Sequence, residues 1–253
     1  MELFADMHCH ANFADNATDF ANAARTDGLH LFSCTVEPCG YRRAHDAFRS
    51  CENVRVGLGA HPWWVASGSV SQADMERFCE LAARESWIGE IGLDFGARHG
   101  STLGAKEAQL AAFQRAAQAL CGGGKIVSLH AVKSADAVMD SLQEAGALEG
   151  NTCIFHWFSG SSSELSRAIG LGFFFSVNSM MLSTRRGREY AKAIPATRLL
   201  LETDLPEQGA GQVSYEAYRK RLDEAALQIN ELRGHDIVGR INETSETLWY
   251  SRF

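Results

Sequence analysis

The sequence predicts an α/β fold, a (β/α)₈ TIM barrel, and three observations carry that reading. Eight short β-rich apolar runs recur along the 253 residues, stretches with helical spacing lie between them, and the average step of about 32 residues is the usual size of a βαβ unit. No internal repeat, linker or Pro/Gly/Ser-rich boundary breaks the series, so residues 1–253 are expected to form a single domain, with a doubly wound open sheet as the alternative.

The runs cover residues 3–7, 31–36, 54–58, 87–93, 126–129, 153–158, 173–177 and 199–201. All are short and bounded by polar or glycine-containing segments, as strands buried on both faces of a parallel sheet should be. Helical spacing appears at 75–83, 108–120, 135–142 and, as a long closing helix, about 215–232. Ser161 with Glu164 three residues later forms a capping-box pattern directly after the sixth run. Gly28, Gly146, Gly170 and Gly234 stand where helices are expected to end.

Composition narrows the classes of function. Hydrophobic residues make up 45% and charged residues 22%, with 4 Pro, which excludes disordered and fibrous chains. No apolar run approaches the length needed to cross a bilayer, and Glu2 and Asp6 stand where a secretory signal would be basic, so a cytoplasmic protein is expected. A net charge of −7 leaves no whole-protein positive field for nucleic acid, so any such contact must be local. The cysteines at 9, 34, 39, 51, 79, 121 and 153 are odd in number and show no CxxC spacing, which points to reduced core thiols.

Residues able to hold a metal recur at or just beyond the ends of the runs, where the loops of a barrel build its active site. The first run leads into Asp6-Met7-His8-Cys9-His10, and strand alternation puts His8 and His10 on one side with Cys9 on the other. Two solvent-facing histidines on an edge strand would show the same spacing. The fourth run places Glu90 in an apolar strand between Gly89 and Gly92. Buried unpaired, that carboxylate would be costly, so a metal or a cationic partner such as an arginine is expected, with the glycines letting the backbone approach whatever Glu90 holds. His130 and His156 close the fifth and sixth runs. Glu202 and Asp204 follow the eighth and are expected to share a face by the period of two. His8, His10, Glu90, His130, His156 and Asp204 give four imidazoles and two carboxylates, enough for two divalent ions bridged by one carboxylate, an arrangement that activates water for hydrolysis.

In this order the motifs resemble the TatD family of metal-dependent deoxyribonucleases in the amidohydrolase superfamily. The resemblance covers nearly the whole chain: Asp6 to His10, Gly59-Ala60-His61-Pro62, Ile88 to Asp94, His130, His156 to Gly160, and Leu201 to Asp204. It implies one metal on His8, His10 and Asp204, a second on His130 and His156, Glu90 as the bridge, and Asp204 as the base that orients and deprotonates water. It also implies two divalent ions (Zn²⁺, Mg²⁺ or Mn²⁺) and a DNA substrate, single-stranded or attacked at an end.

His61, Glu202 and Ser159 are expected to contact substrate or support a ligand. A turn histidine beside Pro62 and a barrel carboxylate paired with a basic residue are the competing readings of the first two. Backbone amides of Ser159-Gly160-Ser161, ahead of a helix, could receive a phosphate. Arg185, Arg186 and Arg188 could guide a DNA backbone or simply form a solvated face. Trp63 and Trp64 could stack on bases or pack in the core. The sequence departs from the family pattern twice: Val132 stands where an arginine is usual, with Lys133 next to it, and Trp63 stands where a second histidine often follows the Gly-x-His-Pro turn. The resemblance implies that both positions belong to substrate recognition. A small-molecule esterase, phosphoesterase or lactonase on the same metals, or a non-enzymatic metal-binding scaffold, would share the ligand set.

Overall fold

The computed structural model describes residues 2–251. Eight parallel strands follow one another in chain order: β1 (Ala5–Cys9), β2 (His30–Cys34), β3 (Val54–Ala60), β4 (Trp87–Asp94), β5 (Ile126–Val132), β6 (Thr152–His156), β7 (Phe174–Val177) and β8 (Leu199–Leu201). The circle closes just beyond β8, where Asp204 N–H donates to the His8 carbonyl at 3.0 Å and His10 N–H to the Leu205 carbonyl at 2.8 Å. Sequential order and closure exclude the doubly wound open sheet, whose strand order must reverse.

Among the described residues eleven α-helices alternate with or follow the strands: α1 (Ala17–Thr26), α2 (Pro38–Ala47), α3 (Pro62–Ala66), α4 (Gln72–Ala82), α5 (Leu103–Ala119), α6 (Ala135–Glu144), α7 (Ser162–Gly170), α8 (Ser179–Ser183), α9 (Arg185–Ala193), α10 (Tyr215–Arg233) and α11 (Val238–Trp249). Local chemistry sets their starts. Pro38 and Pro62 sit in the first turns of α2 and α3, where a missing N–H costs nothing. Full capping boxes open α4 (Ser71, Asp74) and α7 (Ser161, Glu164). Gly234, left-handed at φ 70, ends α10.

Two expectations are corrected. The helix at 215–232 does not close the chain, because α11 follows it after the Gly234 turn. α7 does end at Gly170, with the left-handed turn two residues on at Gly172, φ 87. The first strand runs two residues later than read, which brings Cys9 into the sheet and His10 to its edge.

A large apolar layer lies between strands and helices, including Leu31, Leu58, Leu129, Phe155, Phe175 and Leu222. A smaller cluster joins Met7, Phe32, Ile126, Ile154 and Leu200 with Trp249 of α11. Its members come from opposite sides of the circle, so they meet across the barrel interior, which is packed and not a pore. The site occupies the other, polar end.

Two bulges aim residues at that end. Between Asp6 and Cys9, β1 has one residue more than β2, since Asp6 pairs with Leu31 and Cys9 with Ser33. Asp6 is thereby turned toward α10, where Tyr218 and Thr203 hydroxyls donate to its carboxylate at 2.5 and 2.6 Å, while His8 and His10 face the site. A second bulge lies in β4, where Ile88 pairs with Val127 and Ile91 with Leu129; the extra residue is within the Gly89–Glu90 step.

Candidate metal centre

Glu90 stands at the middle of the strand ends. Its Oε2 lies 3.5 Å from His8 Nε2 and 3.4 Å from His10 Nε2; its Oε1 lies 2.7 Å from His130 Nδ1, 2.9 Å from His156 Nε2 and 3.0 Å from His61 Nε2. Asp204 Oδ1 completes the first group at 3.3 Å from His8 and 3.2 Å from His10. Among the described residues no arginine reaches Glu90, and a ring of imidazoles takes the place of the arginine-paired reading.

The donor chemistry settles which nitrogens face inward. The carbonyl of Cys34 can only accept, so His10 Nδ1 donates to it at 2.8 Å and Nε2 is the nitrogen left to bind an ion. His8 Nδ1 pairs with Ser128 Oγ at 2.6 Å, and its Nε2 is buried with no hydrogen-bond partner. An orphaned buried nitrogen between two carboxylates is what a metal ligand looks like without its ion. Two ligands about 2.1 Å from a shared tetrahedral ion would sit about 3.4 Å apart, and the His8, His10, Asp204 and Glu90 separations match that spacing. The His130, His156 and Glu90 group is tighter, at hydrogen-bond distances, and would open by about half an ångström around an ion.

His61 differs. Its Nδ1 accepts the Trp63 backbone N–H at 3.1 Å, so Nε2 carries the proton and donates to Glu90. It directs a donor into the site and offers no lone pair. Glu202 is fully buried behind the site. It accepts from the Ser176 hydroxyl and from Asn178 Nδ2 at 2.8 Å, and lies 3.9 Å from His156 Nδ1. Beyond the end of β8 at Leu201 the two carboxylates take different partners: Glu202 reaches Ser176 and Asn178, while Asp204, at φ 57, reaches His8 and His10.

Burial opposes ionisation of Glu90, but His61 and His156 beside it, with hydrogen bonds from His10 and His130, hold it well below the usual carboxylate range. Asp204 is likewise held down, against burial, by His10 and His8. Burial lowers His10 and His130, yet the carboxylates outweigh it and each rises to about 9. Burial dominates His61, which falls to about 4. Glu202 goes the other way: burial raises it well above the ordinary value.

A cavity of about 770 Å³ opens over the centre, walled by Phe13, Trp63, Trp64, Trp157 and Met180, with Arg98 as its cation. Ser159 also lines it. The amides after Ser159 are less available to phosphate than expected, because Glu164 already accepts from Ser161 N–H at 2.6 Å and places a carboxylate there. Arg188 donates to the Leu182 and Ser183 carbonyls at the end of α8, whereas Arg185 and Arg186 are exposed at the start of α9.

Two residues escaped the sequence reading. Asp94 accepts from His130 Nε2 at 3.3 Å and from Trp63 Nε1 at 2.5 Å. Burial raises it, but these bonds and the Gly96 N–H bring it down to about 2. Ser128 supports His8. Asp94 was visible as the last residue of the Ile-Gly-Glu-x-Gly-Leu-Asp strand; a lone strand serine carries no signal at all.

The sequence model of the TatD related DNase family matches residues 5–249. The chain belongs to that family. It is 31% identical to human "Deoxyribonuclease TATDN3" over 160 residues, 63% of this chain and 57% of that protein. It is 35% identical to the "3'-5' ssDNA/RNA exonuclease TatD" of Klebsiella pneumoniae over 197 residues, 76% of this chain and 72% of that one. The crystal structure of a TatD family hydrolase from Entamoeba histolytica superposes with a TM-score of 0.78 at 18% identity, covering 98% of both chains, which shows a common fold. Among the described residues no helix is long and apolar enough to cross a membrane.

Proposed function

We propose that this chain is a divalent-metal-dependent deoxyribonuclease that hydrolyses phosphodiester bonds at strand ends. One ion would be held by His8, His10 and Asp204 and a second by His130 and His156, with Glu90 standing between the two groups. The observation that carries the reading is the buried, partnerless Nε2 of His8, spaced from Glu90 and Asp204 as ligands of one ion would be. Imidazole with carboxylate suits Zn²⁺ or Mn²⁺ and permits Mg²⁺.

Bound there, the ions supply a water of lowered pKa and neutralise charge on the phosphoryl oxygens. Asp204 would orient that water and take its proton; His10 and His8 beside it keep it ionised for that role. The His61 N–H is a hydrogen-bond donor beside the reacting centre. Trp64, Trp157 and Phe13 offer apolar surface to bases, and Ser159 a hydroxyl. A cavity of about 770 Å³ takes a small-molecule-sized piece of substrate, which favours a single-stranded end over the middle of a duplex. With Arg98 as its cation, phosphate affinity depends on the ions themselves. Seven free cysteines suit the reducing cytoplasm.

Release of nucleotides from end-labelled single-stranded DNA with Mg²⁺, Mn²⁺ or Zn²⁺ tests this. Asp204→Asn is expected to lower kcat by about 10²-fold or more. A metal-loaded wild-type protein that releases no nucleotide would overturn the nuclease reading and leave a small phosphoester or lactone as substrate.

A further inference from the structure

Trp63 stands where the family often carries a histidine, and its place in the structure gives it work unrelated to stacking on bases. It opens α3 directly after the His61-Pro62 turn, and its indole N–H reaches across to β4, donating to Asp94 Oδ2 at 2.5 Å. The same oxygen accepts from His130 Nε2 at 3.3 Å. A carboxylate can only accept, so that bond keeps a hydrogen on Nε2 and makes Nδ1, which faces Glu90 at 2.7 Å, the nitrogen that would offer its lone pair once an ion displaces the proton there. His130 is thus turned the opposite way from His8 and His10, which present Nε2.

The carboxylate doing this is held from every side. Its Oδ1 accepts the Gly96 N–H at 2.7 Å, and its own backbone N–H donates to Gln109 Oε1 of α5 at 2.7 Å. Gln109 Nε2 in turn donates to the His99 carbonyl at 3.0 Å, and the His99 ring lies flat on Trp63, centroids 4.3 Å apart and planes 14° from parallel. Trp63, Asp94, Gln109 and His99 form a closed loop of contacts around one oxygen. Asp94 is 4% exposed, so water cannot substitute for the indole.

We infer that Trp63 is a positioning residue for the second ion: by clamping Asp94 Oδ2 it fixes the tautomer and ring orientation of His130, and so the direction of that ligand's lone pair. Outer partners of metal-bound histidines typically affect ion affinity by 10–100-fold. This inference rests on the assignment of His130 as a ligand made above.

Stepwise binding of Mn²⁺ and Zn²⁺ is measured on the full chain by calorimetry for wild type, Trp63→Phe, Asp94→Asn and His130→Ala. His130→Ala identifies the step that depends on His130. Trp63→Phe keeps a ring against His99 but removes the N–H, and is expected to weaken that step about tenfold, with the other step and the metal-free melting temperature unchanged. Asp94→Asn is expected to weaken it further, toward 100-fold. Wild-type affinity at that step in Trp63→Phe, equal weakening of every step, or no step lost in His130→Ala would each overturn the inference. The comparison is the same for one ion or two, so an error in the ion count appears in the wild-type stoichiometry and not here.

Discussion

Glu90 lies within 3.5 Å of five imidazoles, which no isolated carboxylate in an apolar strand would suggest. Each of the neighbours alone would be an ordinary buried histidine; together they make a charge cluster whose balance depends on that one residue. Glu90→Gln keeps the shape and removes the charge. At neutral pH without ions, His10 and His130 would then be protonated with less compensation, and breaking a buried pair from one side costs about 3–5 kcal/mol. We expect the metal-free variant to lose about that much stability in urea unfolding, and its ion content by elemental analysis to fall to one per chain or fewer. Two ions retained at wild-type stability would refute the bridging role.

At the scale of elements, the glycines beside Glu90 turn out to serve the neighbouring strands and not a ligand. A Cβ at Gly92, where φ is 146, would lie 2.0 Å from the His130 carbonyl oxygen, so β4 and β5 meet at this spacing only with glycine. Gly28, at φ 72, has nothing within 4 Å of its would-be Cβ. Gly28→Ala is therefore expected to cost about 1 kcal/mol, the backbone term alone. Gly92→Ala should cost about 3 kcal/mol or more and displace His130. Equal costs in denaturant titrations would show that backbone conformation, and not strand approach, decides both positions. The same scale explains why the Ser159 region is a poorer phosphate cradle than expected: the capping box that starts α7 already uses the Ser161 amide and places the Glu164 carboxylate beside it.

For the whole molecule the pH response follows from the raised histidines. Without ions, His10 and His130 titrate near 9 against an ordinary 6.5, because Glu90, Asp204 and Asp94 outweigh burial. Folded values above unfolded ones mean that this stabilisation is complete below pH 6.5 and is lost as pH rises through about 9. Ions need the neutral imidazole, so they compete with those protons. Apparent ion affinity should climb between pH 6.5 and 9, about tenfold per unit for each proton released, while the metal-free melting temperature falls. Competition with a chelating dye across that range measures the first and thermal unfolding the second; an affinity flat with pH would contradict the assignment of both histidines as ligands. The net charge of −7 adds that DNA binding should weaken steeply with salt, since attraction is confined to the ion site and a few cations around it.

The chain order of runs and helices, their spacing, and the polar residues at the run ends were sufficient by themselves to reach a barrel and to single out His8, His10, Glu90, His130, His156 and Asp204. That is because strand period and strand polarity are local properties, and a parallel barrel sends every strand end to one face. What only the folded chain decided is how those residues aim. The bulge in β1 separates Asp6 from His8, Asp204 at φ 57 carries its carboxylate to His8 and His10, and a tryptophan of α3 meets an aspartate of the next strand to turn His130. Those outcomes depend on close contacts between segments far apart in sequence, and a one-residue insertion in a strand or one left-handed residue reverses a side chain's direction without any change in the hydrophobic pattern that sequence reading relies on.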